Sequence, residues 1–272
     1  MQVIRLTAAP QGFGQTSRRD TWWSTPLVVF LVFVSFIVYA TWAAFQNAHY
    51  IYGPYLSPFY APVLFASPGD AAGLEQAWFG VQPGWWPAFV PFSPALLILP
   101  FPGVFRFTCY YYRGTYYKAF WADPPACSVG EPRKSYLGEN SFPLVLQNIH
   151  RYAWYVAVIF IFLLAYDAWL ALWFPTNDGG VEFGIGVGTI VLTLNVVLLA
   201  AYTFGCHSGR HIFGGFKDEV SKSSALTACY NCTTALNGKH MLFAWSSLFA
   251  VAFADVYVRL CSMGIWSDWR IL

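Results

Sequence analysis

The 272-residue chain is long enough to bury a soluble core, yet only 10% of it is charged and 57% is apolar, against about 25% charged residues in soluble proteins. This balance excludes an ordinary soluble domain and indicates a membrane protein, and an aromatic content of 20% suits many interfacial Trp and Tyr. The net charge of +2 gives no ground for a nucleic-acid partner, so the environment implied is membrane lipid.

Residues 1–25 read as an N-terminal tail, and residues 26–272 as an all-α domain of five transmembrane helices. Span one, Pro26 to Phe45, holds no charge across 20 positions, enough for the roughly 30 Å hydrocarbon core. The following segment, Gln46 to Gly84, is long and rich in Pro, Tyr, Phe and Gly. It is expected to lie as an aromatic cap on the outer surface, with a short interfacial helix over Ala71 to Phe79. Span two, Trp86 to Thr108, carries Pro87, Pro91, Pro94, Pro100 and Pro102. Each internal proline removes a helix hydrogen bond, so this span is expected to be bent or partly unwound where protein or water covers the freed carbonyls.

The segment Tyr110 to Pro143 is basic and aromatic. Aromatics and Arg concentrate binding energy at interfaces, which makes this loop a candidate docking surface for a soluble partner. Span three runs from Leu146 to Phe174, span four from Phe183 to Gly205 and span five from Met241 to Ile265. The apolar run of span one is too long and starts too late for a cleavable signal. Gly184, Gly186 and Gly188 lie in an apolar span, where small residues allow close helix packing.

Basic residues set the orientation. Arg5, Arg18 and Arg19 precede span one. Arg106, Arg113, Lys118, Arg133, Lys134 and Arg151 lie between spans two and three or flank them, and Arg210, Lys217, Lys222 and Lys239 lie between spans four and five. Thirteen of the fifteen basic residues thus fall on one side. The positive-inside rule makes that side, with the N-terminus, cytoplasmic, as in a multi-pass protein of a bacterial plasma membrane.

Nine residues able to bind metal or carry protons fall on that same side: Cys109, Cys127, His150, Cys206, His207, His211, Cys229, Cys232 and His240. A reducing cytoplasm makes structural disulfides among them improbable. Cys229 and Cys232 form a CxxC without the second CxxC of a four-cysteine zinc site. In CHSGRH, His207 and His211 share a helix face if the helix of span four continues. Haem held by two imidazoles needs a facing pair from His150, His207 and His240. A Rieske-type cluster needs two thiolates and two imidazoles. The residues leave haem, cluster and no metal open. Cys261, near the outer end of span five, reads as a packed small hydrophobe. Asp167, Asp255 and Arg259 are ionisable residues inside spans. Asp255 and Arg259 are placed to pair along one helix and Arg259 with Asp167 between helices, as a structural ion pair or a proton path.

Four stretches in order, CYYYRGTYYKAFWADPPAC, SFPLVLQNIHRY, CHSGRH followed by Gly214 and Gly215, and LNGKHMLFAW before SDWRI, resemble the cytochrome b-like membrane-anchor subunit of actinobacterial-type succinate dehydrogenase. The resemblance covers residues 100 to 272. It implies a five-helix anchor of complex II beneath a flavoprotein and an iron–sulfur subunit. It places the chain in the tricarboxylic acid cycle and the respiratory chain, with a homotrimer of the complex as one assembly state. Electrons would pass from succinate to FAD, through the partner's iron–sulfur clusters, to menaquinone; no flavin or dicarboxylate site is recognisable in this chain. The resemblance further implies a redox centre in the anchor, a Rieske-type [2Fe–2S] cluster or alternatively haem b, with Cys109, Cys127, Cys206, His207, His211 and His240 as the positions for ligands. The family stretch often reads CHSCRH, and here Gly209 stands in place of the second cysteine. A quinone site needs an apolar slot, donors and proton access. Arg113, His150, Arg151, Tyr152 and Trp154 are expected to line it, and a histidine is a suitable proton donor. The rival reading is a free-standing membrane thiol oxidoreductase using Cys229 and Cys232 with quinone.

Overall fold

The computed structural model describes residues 12–133, 140–142, 144–176, 178–215 and 217–272. The first eleven residues of the expected N-terminal tail, with Arg5, and part of the basic loop, with Lys134, lie outside the described residues. The chain divides into two compact units, Met1–Val38 with Arg106–Ile149, and Tyr39–Phe105 with His150–Leu272.

Ten α-helices carry the described fold, with two small antiparallel hairpins. Among the described residues, four helical stretches are long and apolar enough to cross a membrane. They are α1 (Ser24–Gln46), the run Leu144–Leu170 that ends in α6 (His150–Leu170), α7 (Val187–Phe204) and α10 (His240–Ser262). Large apolar side chains such as Leu31, Phe162, Leu194 and Phe249 stay exposed along them. Hydrocarbon is the solvent such faces suit.

The expected span two is not a helix of that length among the described residues. It is broken into α3 (Pro94–Ile98) and α4 (Pro100–Thr108). Pro94 and Pro100 each start a helix, where a missing N–H costs nothing. Nine residues rise only about 14 Å, so neither piece crosses a bilayer alone. The ends of spans three and four also differ from expectation. Trp173–Pro175 (β3) pairs with Val181–Phe183 (β4), and Gly179 turns the hairpin with a φ of 81°. Such a turn favours glycine.

In the larger unit, α7 packs against both α6 and α10. The segment after α1 folds onto one end of these helices. Ile51–Tyr52 (β1) and Tyr55–Leu56 (β2) form a hairpin, and α2 (Ala71–Gln76) is capped by Asp70, which accepts from Gly73 N at 2.9 Å. Tyr55, Ala171, Leu192, Ala254 and Val258 form an apolar core there. Asp268 ties the C-terminal segment to the start of α7. Its carboxylate accepts from Tyr55 OH at 2.7 Å, Tyr257 OH at 2.6 Å and Gly188 N at 2.9 Å.

The polar centre of this end is the ion pair of Arg259 and Asp255, with Nε to Oδ2 at 3.2 Å and both side chains buried. Ser57 and Tyr39 donate to the same carboxylate. Arg259 also donates to the Ala48 carbonyl at 2.9 Å and lies 5.3 Å from the Trp42 ring centroid. The pairing along one helix is therefore realised. Its alternative, Arg259 with Asp167, is not: the guanidinium is committed to Asp255 and the α1 end, and Asp167 Oδ2 is buried with no hydrogen-bond partner among the described residues.

The smaller unit is aromatic throughout. α5 (Tyr110–Tyr116) continues into a π-helical turn, Tyr117–Trp121. Phe33 meets Tyr112 at 5.4 Å and Phe30 meets Phe120 at 5.0 Å. Arg106 donates to Tyr112 OH at 2.7 Å.

Removing one member of a buried ion pair leaves the other uncompensated, at about 3–5 kcal/mol. Arg259→Met is therefore expected to lower the melting temperature of the solubilised protein sharply. Arg259→Lys, which keeps the charge, is expected to lose less.

Candidate functional site

At the opposite end of the larger unit, the start of α6, the end of α7 and the start of α10 meet. His150 opens α6 and is buried. α7 ends at Phe204, and Gly205 turns the chain so that buried Cys206 caps α8 (His207–Gly214). The result is a close contact, His150 Nε2 to Cys206 Sγ at 3.0 Å.

A stack of rings lies beside this pair. His150 is parallel to Phe105 at 4.9 Å with 5° between the planes. Phe105 meets Tyr202 edge-on at 5.4 Å, and Tyr202 stacks on His240 at 5.0 Å and 15°. Trp154, one helical turn beyond His150, donates its indole N–H to the Thr203 carbonyl at 2.8 Å. Its ring sits edge-on to Phe204 and Phe213, each at 6.5 Å.

α9 (Ser224–Asn237) closes the connection between α8 and α10. Tyr230 of α9 accepts from Arg210 of α8 at 2.8 Å, and Asn237 donates to the Gly205 carbonyl at 2.9 Å. This approach requires glycine at 205. A Cβ there would stand 3.1 Å from Leu236 Cβ and 3.2 Å from its carbonyl carbon.

The expected ligand residues divide sharply. Cys206 is brought onto His150, a residue expected to line a quinone site, and His240 joins the same end through Tyr202. His207 and His211 are exposed on α8, although they share a face as their spacing implies. Cys109 is buried as the N-cap of α5 and Cys127 is exposed; both belong to the smaller unit. Cys229 and Cys232 are exposed on α9 and Cys261 is buried in α10. Among the described residues, no group of three or more His, Cys, Asp or Glu is arranged to hold a metal ion.

Of the expected quinone residues, His150 and Trp154 face inward, while Arg151 and Tyr152 are exposed. Arg113 lies over the Tyr110 ring at 4.3 Å in the smaller unit. Sequence reasoning missed Phe105, Tyr202 and Thr203. The first two look like ordinary aromatics of apolar runs, and Thr203 acts through its backbone, which no side-chain pattern marks.

Gly205→Ala is expected to cost about 1–3 kcal/mol by overpacking against α9, read as a lower melting temperature. Gly114→Ala is the control, since a Cβ there meets nothing within 4 Å.

The model of the family described as actinobacterial succinate dehydrogenase subunit SdhC matches residues 24–264. Among solved structures, a chain of the Mycobacterium smegmatis Sdh1 complex in the apo form is 40% identical, with a TM-score of 0.83. The alignment covers 99% of this chain and 98% of that one. No curated protein matches. With a family match over most of its length and a long helical fold shared at this identity, the chain belongs to the actinobacterial succinate dehydrogenase membrane subunits and is a subunit of that enzyme.

Proposed function

We propose that this subunit anchors a succinate:quinone oxidoreductase, docks its flavoprotein and iron–sulfur subunits, and forms a menaquinone site and a redox centre at the cytoplasmic end of its helices. One observation carries the reading: a buried thiol and a buried imidazole at 3.0 Å, Cys206 and His150, at the end of membrane-crossing helices. The basic residues cluster on that side, which supports a cytoplasmic N-terminus. The broken pair α3 and α4 would then be the fifth crossing, entered as two short helices.

The donor chemistry fits a Rieske-type cluster better than haem. Thiolate and imidazole are the two donor types of such a cluster, and Cys206 and His150 provide one of each. His240, His207 and His211 are the further imidazoles of the same unit. Haem between His150 and His240 would need the space that Phe105 and Tyr202 fill. When bound, a cluster would supply one-electron transfer. The chain's own residues would hold it, exclude water with Phe105 and Tyr202, and set its electrostatics. Arg151 and Tyr152, exposed beside His150, are the donors best placed to meet a quinone head group arriving from the membrane. The Trp154 ring would wall the slot.

Low-temperature EPR of the purified complex after mild ascorbate reduction tests the reading. Rieske centres have raised potentials, so the expected result is a Rieske-like signal that disappears in Cys206→Ser with the complex still assembled. A signal unchanged by Cys206→Ser would refute the ligand assignment. A haem absorption band lost on the same substitution would replace the cluster with haem.

A further inference from the structure

His150 and Trp154 are four residues apart on α6, so they stand on one face, one turn from each other. Both are buried, at 8% and 5% exposure, whereas the intervening Arg151 and Tyr152 face outward. Across from them, Thr203 and Cys206 are three residues apart at the end of α7. Each inward residue of α6 therefore meets one partner: His150 the Cys206 thiol, and Trp154 the Thr203 carbonyl.

The Thr203 carbonyl is one of the last four of α7, which have no regular helical partner. It receives the Trp154 indole N–H at 2.8 Å and also the backbone N–H of Cys206 at 3.3 Å. The group that Trp154 holds is thus the group that sets the backbone of Cys206. On the other side, α8 lies against the same indole because residue 209 is glycine. A Cβ at Gly209 would sit 3.2 Å from Trp154 Cζ2 and Nε1, tighter than ordinary contact.

We propose that Trp154 is a positioning residue that fixes the place of Cys206 at this helix end by holding the Thr203 carbonyl. An indole has a single donor and no acceptor, so the N–H given to Thr203 is not available to a quinone carbonyl. Trp154 then acts on the redox site through Cys206, not by direct donation to substrate. The importance of this role for electron transfer rests on the reading that Cys206 and His150 carry the redox centre.

The test uses the assembled complex in native membranes. N-ethylmaleimide labelling is followed by peptide mass spectrometry at Cys206, Cys109 and Cys261, the three buried cysteines. Trp154→Phe keeps a ring and removes the N–H. The expected result is about tenfold faster labelling of Cys206, the scale of one lost hydrogen bond, with Cys109 and Cys261 unchanged, and shifted g-values of the bound centre at unchanged iron content. Gly209→Ala, which presses on the indole but keeps its N–H, is expected to give the same selective rise. It carries the test if Trp154→Phe does not assemble. Unchanged Cys206 labelling, or an equal rise at all three cysteines, would overturn the proposal. If the EPR signal survives Cys206→Ser, the redox-centre reading fails, while the labelling still decides whether Trp154 positions Cys206.

Discussion

A helix that crosses hydrocarbon must settle its polar groups inside the protein, because no water is there to do so. That constraint governs where this chain places its chemistry. At one end of the larger unit, Asp255 and Arg259 are admitted only as a pair, with Ser57, Tyr39 and the Ala48 carbonyl satisfying what the pair leaves over. At the other end, Cys206 and His150 satisfy each other, and Trp154 takes up a carbonyl that the end of α7 leaves free. Around the first of these ends the packing is otherwise apolar, in the core of Tyr55, Ala171, Leu192, Ala254 and Val258.

Much of this was legible in the sequence, for a physical reason. Long uncharged runs are constrained by bilayer thickness, so α1, α6, α7 and α10 fall close to where hydropathy puts them. Prolines also announce themselves, and the run around Pro94 and Pro100 is broken as their chemistry demands. The boundaries near Phe174 and Phe183 were hidden because an apolar strand and an apolar helix read alike over three residues. In the candidate site, the convergence of His150, Cys206 and His240 at one end followed from span order alone. Which of them touch did not, because contact depends on helix rotation. His207 looked as promising as Cys206 and lies on the exposed side of α8.

The ring stack gives the site a definite shape. Two imidazoles, His150 and His240, are each covered by an aromatic face, and the two covering rings meet edge-on at 5.4 Å. Stacked rings exclude water, and the Cys206 thiol lies against an edge of the His150 ring. Gly205 and Gly209 matter for the same reason. Each marks a place where a neighbouring element comes so close that a side chain would push α9 or Trp154 away. On the proposed reading the protein supplies position and surroundings at such a site and the cofactor supplies the chemistry.

The most direct measurement is an electron cryo-microscopy map of the assembled, cofactor-loaded complex at a resolution that separates the Cys206 and His150 side chains. The account predicts strong non-protein density joined to Cys206 Sγ and to a His150 nitrogen, with the two side chains parted to admit it. Thiol and imidazole still in direct contact, with no density joined to either, would contradict it.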